Sequence, residues 1–151
     1  MSMGRMYSIL MDAATTVAAA QDLISITAPA DAIIIVHEAH ISRESSEVSD
    51  TAVAQIHRGS GSAGAGGANT PIPLDLQSPA MGGTVLHDLT TDETEGVIFH
   101  RRAFNLISGF HWLPTPEMRI VIPPSGILCL RSDIAITSCT LNAELIVEEI
   151  G

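Results

Sequence analysis

From Leu141 to Ile150 the chain alternates: Leu141, Ala143, Leu145 and Val147 are apolar, while Asn142, Glu144 and Glu148 lie between them. Period two is the mark of a strand with one buried and one wet face. Ala32–Ser42 begins differently, with the unbroken run Ile33-Ile34-Ile35-Val36, and only then alternates. A strand apolar on both faces needs cover on both, from a second sheet or from a neighbouring subunit. Shorter strand patterns fill Met6–Met11, Leu23–Thr27, Ala52–Arg58, Thr84–Asp88, Gly96–Phe104, Gly109–Leu113, Arg119–Ile122 and Ile127–Arg131. Turn signals such as Pro29-Ala30-Asp31, Pro114-Thr115-Pro116 and Pro123-Pro124-Ser125-Gly126 separate them. Ten short strands in 151 residues fit one all-β domain, residues 1–151, folded as an antiparallel sandwich or barrel. The one helical candidate is Ala13–Asp22, where alanine favours a helix and Thr15, Thr16 and Val17 oppose it.

Two stretches read as loops. Gly59–Gly67 (Gly-Ser-Gly-Ser-Ala-Gly-Ala-Gly-Gly) offers no side chains to bury and has a high entropy to lose on ordering. It is expected to be exposed and mobile, with Thr70-Pro71-Ile72-Pro73-Leu74 as an extended return. Arg43–Asp50 is polar and acidic and is expected to be a second loop.

The charge balance excludes several partners. Seven basic residues, all arginine, face seventeen acidic ones, for a net charge of −10. Nucleic-acid binders draw affinity from cationic contacts to phosphate, so this chain is not expected to bind nucleic acid. An anionic membrane surface is disfavoured for the same reason, and no apolar run approaches the roughly 20 residues of a spanning helix. Met1–Met6 carries no signal-peptide h-region. The two cysteines, Cys129 and Cys139, form no C-x-x-C pair and read as buried free thiols in a reducing compartment.

Motifs that look chemical lack their structural context. Gly59-Ser60-Gly61-Ser62-Ala63-Gly64 matches G-x-G-x-x-G, but glycines and prolines follow where a helix N-terminus must face the pyrophosphate. His37-Glu38-Ala39-His40 is one residue short of H-E-x-x-H and sits in a strand pattern. There His37 shares a face with Ile33, Ile35 and Ile41, while Glu38 and His40 point the other way. Six histidines (His37, His40, His57, His87, His100, His111) invite comparison with metal-binding cupins, yet no H-x-H pair occurs. Glu38, His40, His57 and His100 are the residues that would supply such a site. Ser60 and Ser62 lie in the glycine-rich stretch, and Cys129 sits between two leucines, so neither setting suits a nucleophile. Glu148 and Glu149 should point to opposite faces, as solvated charges or partners of an arginine. No catalytic residue and no cofactor is assigned.

Gly4-Arg5-Met6-Tyr7-Ser8-Ile9, Ala20-Gln21-Asp22-Leu23, Ile56-His57-Arg58-Gly59-Ser60, Leu113-Pro114-Thr115-Pro116-Glu117 and Val147-Glu148-Glu149-Ile150-Gly151 together resemble small virion proteins of tailed bacteriophages, the head decoration or cement type. The resemblance is one of texture, without a diagnostic motif. It implies a jelly-roll β-sandwich that assembles as a homo-oligomer, often a trimer, on the major capsid protein lattice. Localisation would be the capsid exterior, where negative charge keeps the protein off packaged DNA. On this reading Ile33, Ile34, Ile35, Val36 and His37 lie at or near an intersubunit face. Arg5, Gly61 and Gly64, from the N-terminal arm and the glycine-rich stretch, would contact the lattice. Two alternatives belong to other classes: a cupin-like metal-dependent enzyme or small-molecule binder, and a carbohydrate-binding part of a receptor-binding fibre. The second needs an aromatic platform, and Trp112, the sole candidate, reads more naturally as a core residue.

Overall fold

A computed structural model describes residues 4–11, 15–16, 19–45, 51–61, 64–133 and 139–151. It is 65% strand and 2% helix, so the all-β expectation holds. The strands are β1 (Arg5–Leu10), β2 (Thr15–Thr16), β3 (Gln21–Thr27), β4 (Ile33–Ser45), β5 (Thr51–Gly59), β6 (Ala65–Asn69) and β7 (Ile72–Pro73). They continue as β8 (Thr84–Thr91), β9 (Glu95–Asn105), β10 (Phe110–Trp112), β11 (Ile120–Ile122), β12 (Ile127–Ser132) and β13 (Thr140–Ile150). One sheet, A, runs β10-β4-β13-β1-β7, with β11 also on β4 and β2 on β13; the other, B, runs β6-β8-β3-β12-β5-β9.

All pairings are antiparallel. The first and last long strands lie side by side in the order β1-β13-β4-β10/β11, and β3-β12-β5-β9 forms the opposing four. Successive strands that fold back between two sheets in this order make a jelly roll. β6 and β8, inserted between β5 and β9, widen sheet B on its β3 side, while β7 of the same insert joins sheet A beside β1.

Alternation fills the interior. Tyr7, Ile9, Ile24, Ile26, Ile34, Val36, Ile56, Leu128, Leu130, Leu145 and Val147 are all fully or almost fully buried in one cluster. At about 25 cal/mol per Å² this aliphatic burial is the main stabilising term. Tyr7 is anchored within it by donating its hydroxyl hydrogen bond to the Pro79 carbonyl at 3.0 Å. Trp112 is partly buried and packs against the cluster from its margin.

Three expectations need correction. The glycine-rich stretch 59–67 is not a single loop, because β5 continues to Gly59 and Ala65–Gly67 form part of β6 on β8. A Cβ on Gly66 would sit 2.7 Å from the His87 carbonyl oxygen, and one on Gly64 would sit 2.5 Å from that of Thr91. These glycines serve close backbone approach. Gly61, at φ 111° and with open space around it, is the turn residue, and residues 62–63 lie outside the described residues. The helical candidate fails where it is described: Thr15–Thr16 pair with Thr140 and Leu141, and Gln21 and Asp22 open β3; residues 12–14 and 17–18 lie outside. Arg43–Ser45 continue β4, and residues 46–50 lie outside.

Candidate functional site

β4 carries the first site because its parity changes partway along. Val36 pairs with Val147 and Glu38 with Ile146, so His37 is an extra residue bulged between them. Before the bulge Ile34 and Val36 face the core; after it Ala39 and Ile41 do. A regular strand would put His37 and Ile41 on one face and Glu38 and His40 on the other. The bulge instead brings His37, Glu38 and His40 to the outer face together.

There β10 adds His111, opposite His40 in the register. Gly109, at φ 72°, turns the chain into β10. The His40 and His111 rings stack, 4.1 Å apart and 13° from parallel. Both Nε2 atoms lie 2.7 Å from the same Glu38 Oε1. Hydrogen bonding to His40 is the largest influence on this carboxyl; with the His111 bond it outweighs partial burial and holds the group below its usual range. His37 takes a separate partner, with Nε2 2.9 Å from Glu148 Oε2.

Sheet B carries a second polar cluster on the face away from the core. Cys129 stands between Ser25 and His57 in the register, and Arg131 stands between Asp22 and Gln55. Asp22, His57 and Cys129 are completely buried, beneath the connection from β8 to β9. Asp22 Oδ1 accepts from His57 Nε2 at 3.0 Å and from Arg131 Nη1 at 3.2 Å; its Oδ2 accepts from the Glu93 backbone N–H at 2.9 Å. Ser25 donates to Glu93 Oε1 at 3.0 Å, and Gln55 donates to Glu95 Oε2. Burial alone would lower the His57 pKa, but the hydrogen bond and charge of Asp22 prevail and raise it. Burial pushes the Cys129 thiol strongly up, and the charge of Asp22 adds to this. A thiol kept protonated and sealed from solvent is a poor nucleophile. The cluster therefore resembles a Cys-His-Asp triad in composition, while its chemistry is that of an anchor. It pins the start of β9.

The third feature is the open side of the sandwich formed by β9 and β11. β9 is an edge strand, paired only with β5 among the described residues. Val97 is 61% exposed, Phe99 47%, Met118 70% and Val121 51%. Phe99 lines shallow grooves with Ile120 and Val121. On the opposite side of the sandwich Ile72 and Leu74 are also exposed, and Leu76 is 94% so.

The structure distributes the sequence-derived residues unevenly. Of the four possible metal ligands, it joins Glu38 and His40. His57 is committed to Asp22. His100 packs near Phe110 and Trp112, where burial first and Arg102 second hold its pKa down. The jelly-roll interior, where a cupin-like site would lie, is filled with aliphatic side chains. Ile34 and Val36 belong to this chain's own core, so they cannot also line an intersubunit face; Ile33, Ile35 and His37 are half-buried on the outer side. Arg5 is held at 2.8 Å by the buried Glu149, and Gly64 is pressed against β8. Of the three expected lattice contacts, Gly61 alone stands open. Glu148 and Glu149 do diverge, one to His37 and one to Arg5.

Fold and sites define a jelly-roll sandwich with an outer-face histidine pair, a sealed polar anchor and two apolar edges. Compared with protein-family models, curated proteins and solved structures, the chain gives no match.

Proposed function

We propose that the protein is a non-enzymatic structural subunit that associates with further copies of itself edge to edge. In its specific form this is a capsid decoration protein on a virion exterior, the role its sequence texture suggests. The observation that carries the reading is the pair of uncovered edges. Natural edge strands are kept short, charged or covered. β9 has eleven residues and exposes Val97, Ile98 and Phe99 in succession. Such a surface gains by being covered.

A second copy fits as the cover because the two edges are chemically unlike. Arg101, Arg102 and Arg119 lie in or beside the β9–β11 edge. The stretch from Ala65 to Thr91, which builds the opposite edge, contains Asp75 and Asp88 and no arginine. Two different, complementary patches on one molecule give a heterologous contact, and a heterologous contact that closes makes a ring, with a trimer among the smallest. Binding a lattice through several such subunits turns weak contacts into a tight one.

Size-exclusion chromatography with light scattering tests the association. The wild type should elute as a closed oligomer, and Phe99→Glu or Leu76→Glu should each reduce it to a 15.9 kDa chain with an unchanged circular dichroism spectrum. A wild-type monomer at about 100 μM would refute it, since obligate contacts hold well below this concentration. The virion part is tested separately by the neighbouring genes: a major capsid protein or portal beside this one supports it, and a metabolic operon counts against it.

A further inference from the structure

We infer that Glu38, His40 and His111 form a surface site for a first-row divalent cation of the zinc type, clamping β10 to β4. This is independent of self-association, since it uses the outer face of sheet A. One ligand atom from each of the three residues lies within 4.8 Å of the others. Two imidazole nitrogens and one carboxylate oxygen are a common zinc donor set, with a fourth position left for water or another group.

The geometry offers a cation three convergent donor atoms. Both Nε2 atoms aim at one oxygen, so each ring must present a proton to it. A single divalent ion takes the place of both Nε2 protons, each neutral ring then carrying its one proton on Nδ1. Binding requires a side-chain rearrangement, in which the near-parallel rings turn until both Nε2 lone pairs point at the ion. Ligand atoms around tetrahedral zinc are about 3.4 Å apart, given zinc–ligand bonds of about 2.0–2.1 Å. Each histidine nitrogen must therefore withdraw from Glu38 by several tenths of an ångström. His111, with half its side chain exposed, can do so.

The surroundings agree. Glu144 faces His40 in the register, and an open cleft of about 370 Å³ beside the cluster is lined by His40, His111, Asn142 and Glu144. That cleft supplies access and further negative charge. The mechanical consequence is local. β10 is held to β4 by only three residue pairs, and an ion shared between the strands adds a cross-link that the apo chain lacks. Sequence spacing puts Glu38 and His40 on one strand face; the bulge at His37 turns that face outward, and the β10 pairing, which spacing does not show, adds His111.

The test is titration of chelator-treated full-length protein with zinc chloride by calorimetry, and with cobalt(II) by visible absorption. We expect one ion per chain, a cobalt spectrum of tetrahedral or five-coordinate type, and a melting temperature that rises with zinc and falls back with EDTA. His111→Ala and His40→Ala should each weaken binding by at least about tenfold, and Glu38→Gln should weaken it less. His37→Gln and Cys129→Ser should bind as the wild type does. Absence of saturation below about 1 mM, or zinc affinity equal in wild type and His111→Ala, overturns the assignment. Should His40→Ala misfold, His111→Ala on the exposed edge still decides it.

Discussion

Replacing Asp22 by asparagine tests the buried anchor of sheet B. The carboxylate accepts three hydrogen bonds, from His57, Arg131 and the Glu93 N–H, and asparagine removes its charge while keeping its shape. Removing one partner of a buried ion pair costs about 3–5 kcal/mol. The lower end applies here, because Arg131 retains Asp92 at 2.8 Å and His57 can shed its proton. In a domain of 151 residues each kcal/mol moves the melting temperature by about 2–4 °C. Asp22→Asn should therefore lower it by roughly 6–12 °C near pH 6. The pH profile carries the sharper signature. The folded-state pKa of His57 is raised, so the native state holds this proton more tightly than the unfolded chain does. Its stabilisation is complete below the unfolded value, about 6.5, and is lost as pH rises through the native value. Calorimetry across this range should show a wild-type decline that Asp22→Asn lacks. A variant melting within about 2 °C of wild type, or one retaining the wild-type slope, refutes the reasoning. If Asp22→Asn does not fold, His57→Gln should abolish the same slope.

Two further outcomes follow from the structure. Cys129 and Cys139 are fully buried, so neither thiol should react with Ellman's reagent in the native protein, and both should react at once in denaturant; rapid native labelling would place Cys129 in an open site. Glu149, 2% exposed, accepts from Arg5 at 2.8 Å and from the Gly82 N–H at 2.7 Å. Glu149→Gln should cost about 1.5–3 kcal/mol in urea unfolding and speed proteolysis between Leu74 and Gly83.

The anchor and the edges belong together. Glu93 and Glu95 tie the β8–β9 connection to Asp22, Ser25 and Gln55, and β9 starts where those bonds end. On the proposed self-association, this matters because an edge held in one position before a partner arrives loses less affinity to ordering. The buried charges are thus linked to the exposed apolar strand through a few residues of chain.

The sequence by itself determined the all-β class and the position of nearly every long strand, because alternation is local. A strand's two faces are written into consecutive residues, as Leu141–Ile150 shows. It did not determine β6, since Gly64, Gly66 and Gly67 read as flexibility until β8 is seen pressed against them. It placed Glu38 and His40 on the wrong face relative to His37, because one bulged residue reverses parity and leaves no mark in composition. Asp22, His57, Cys129 and Arg131 are separated by up to 109 positions, and only strand order in sheet B makes them neighbours. Which side chains face inward is a short-range property. Which of them meet is decided by register and topology, where contacts form between residues far apart along the chain.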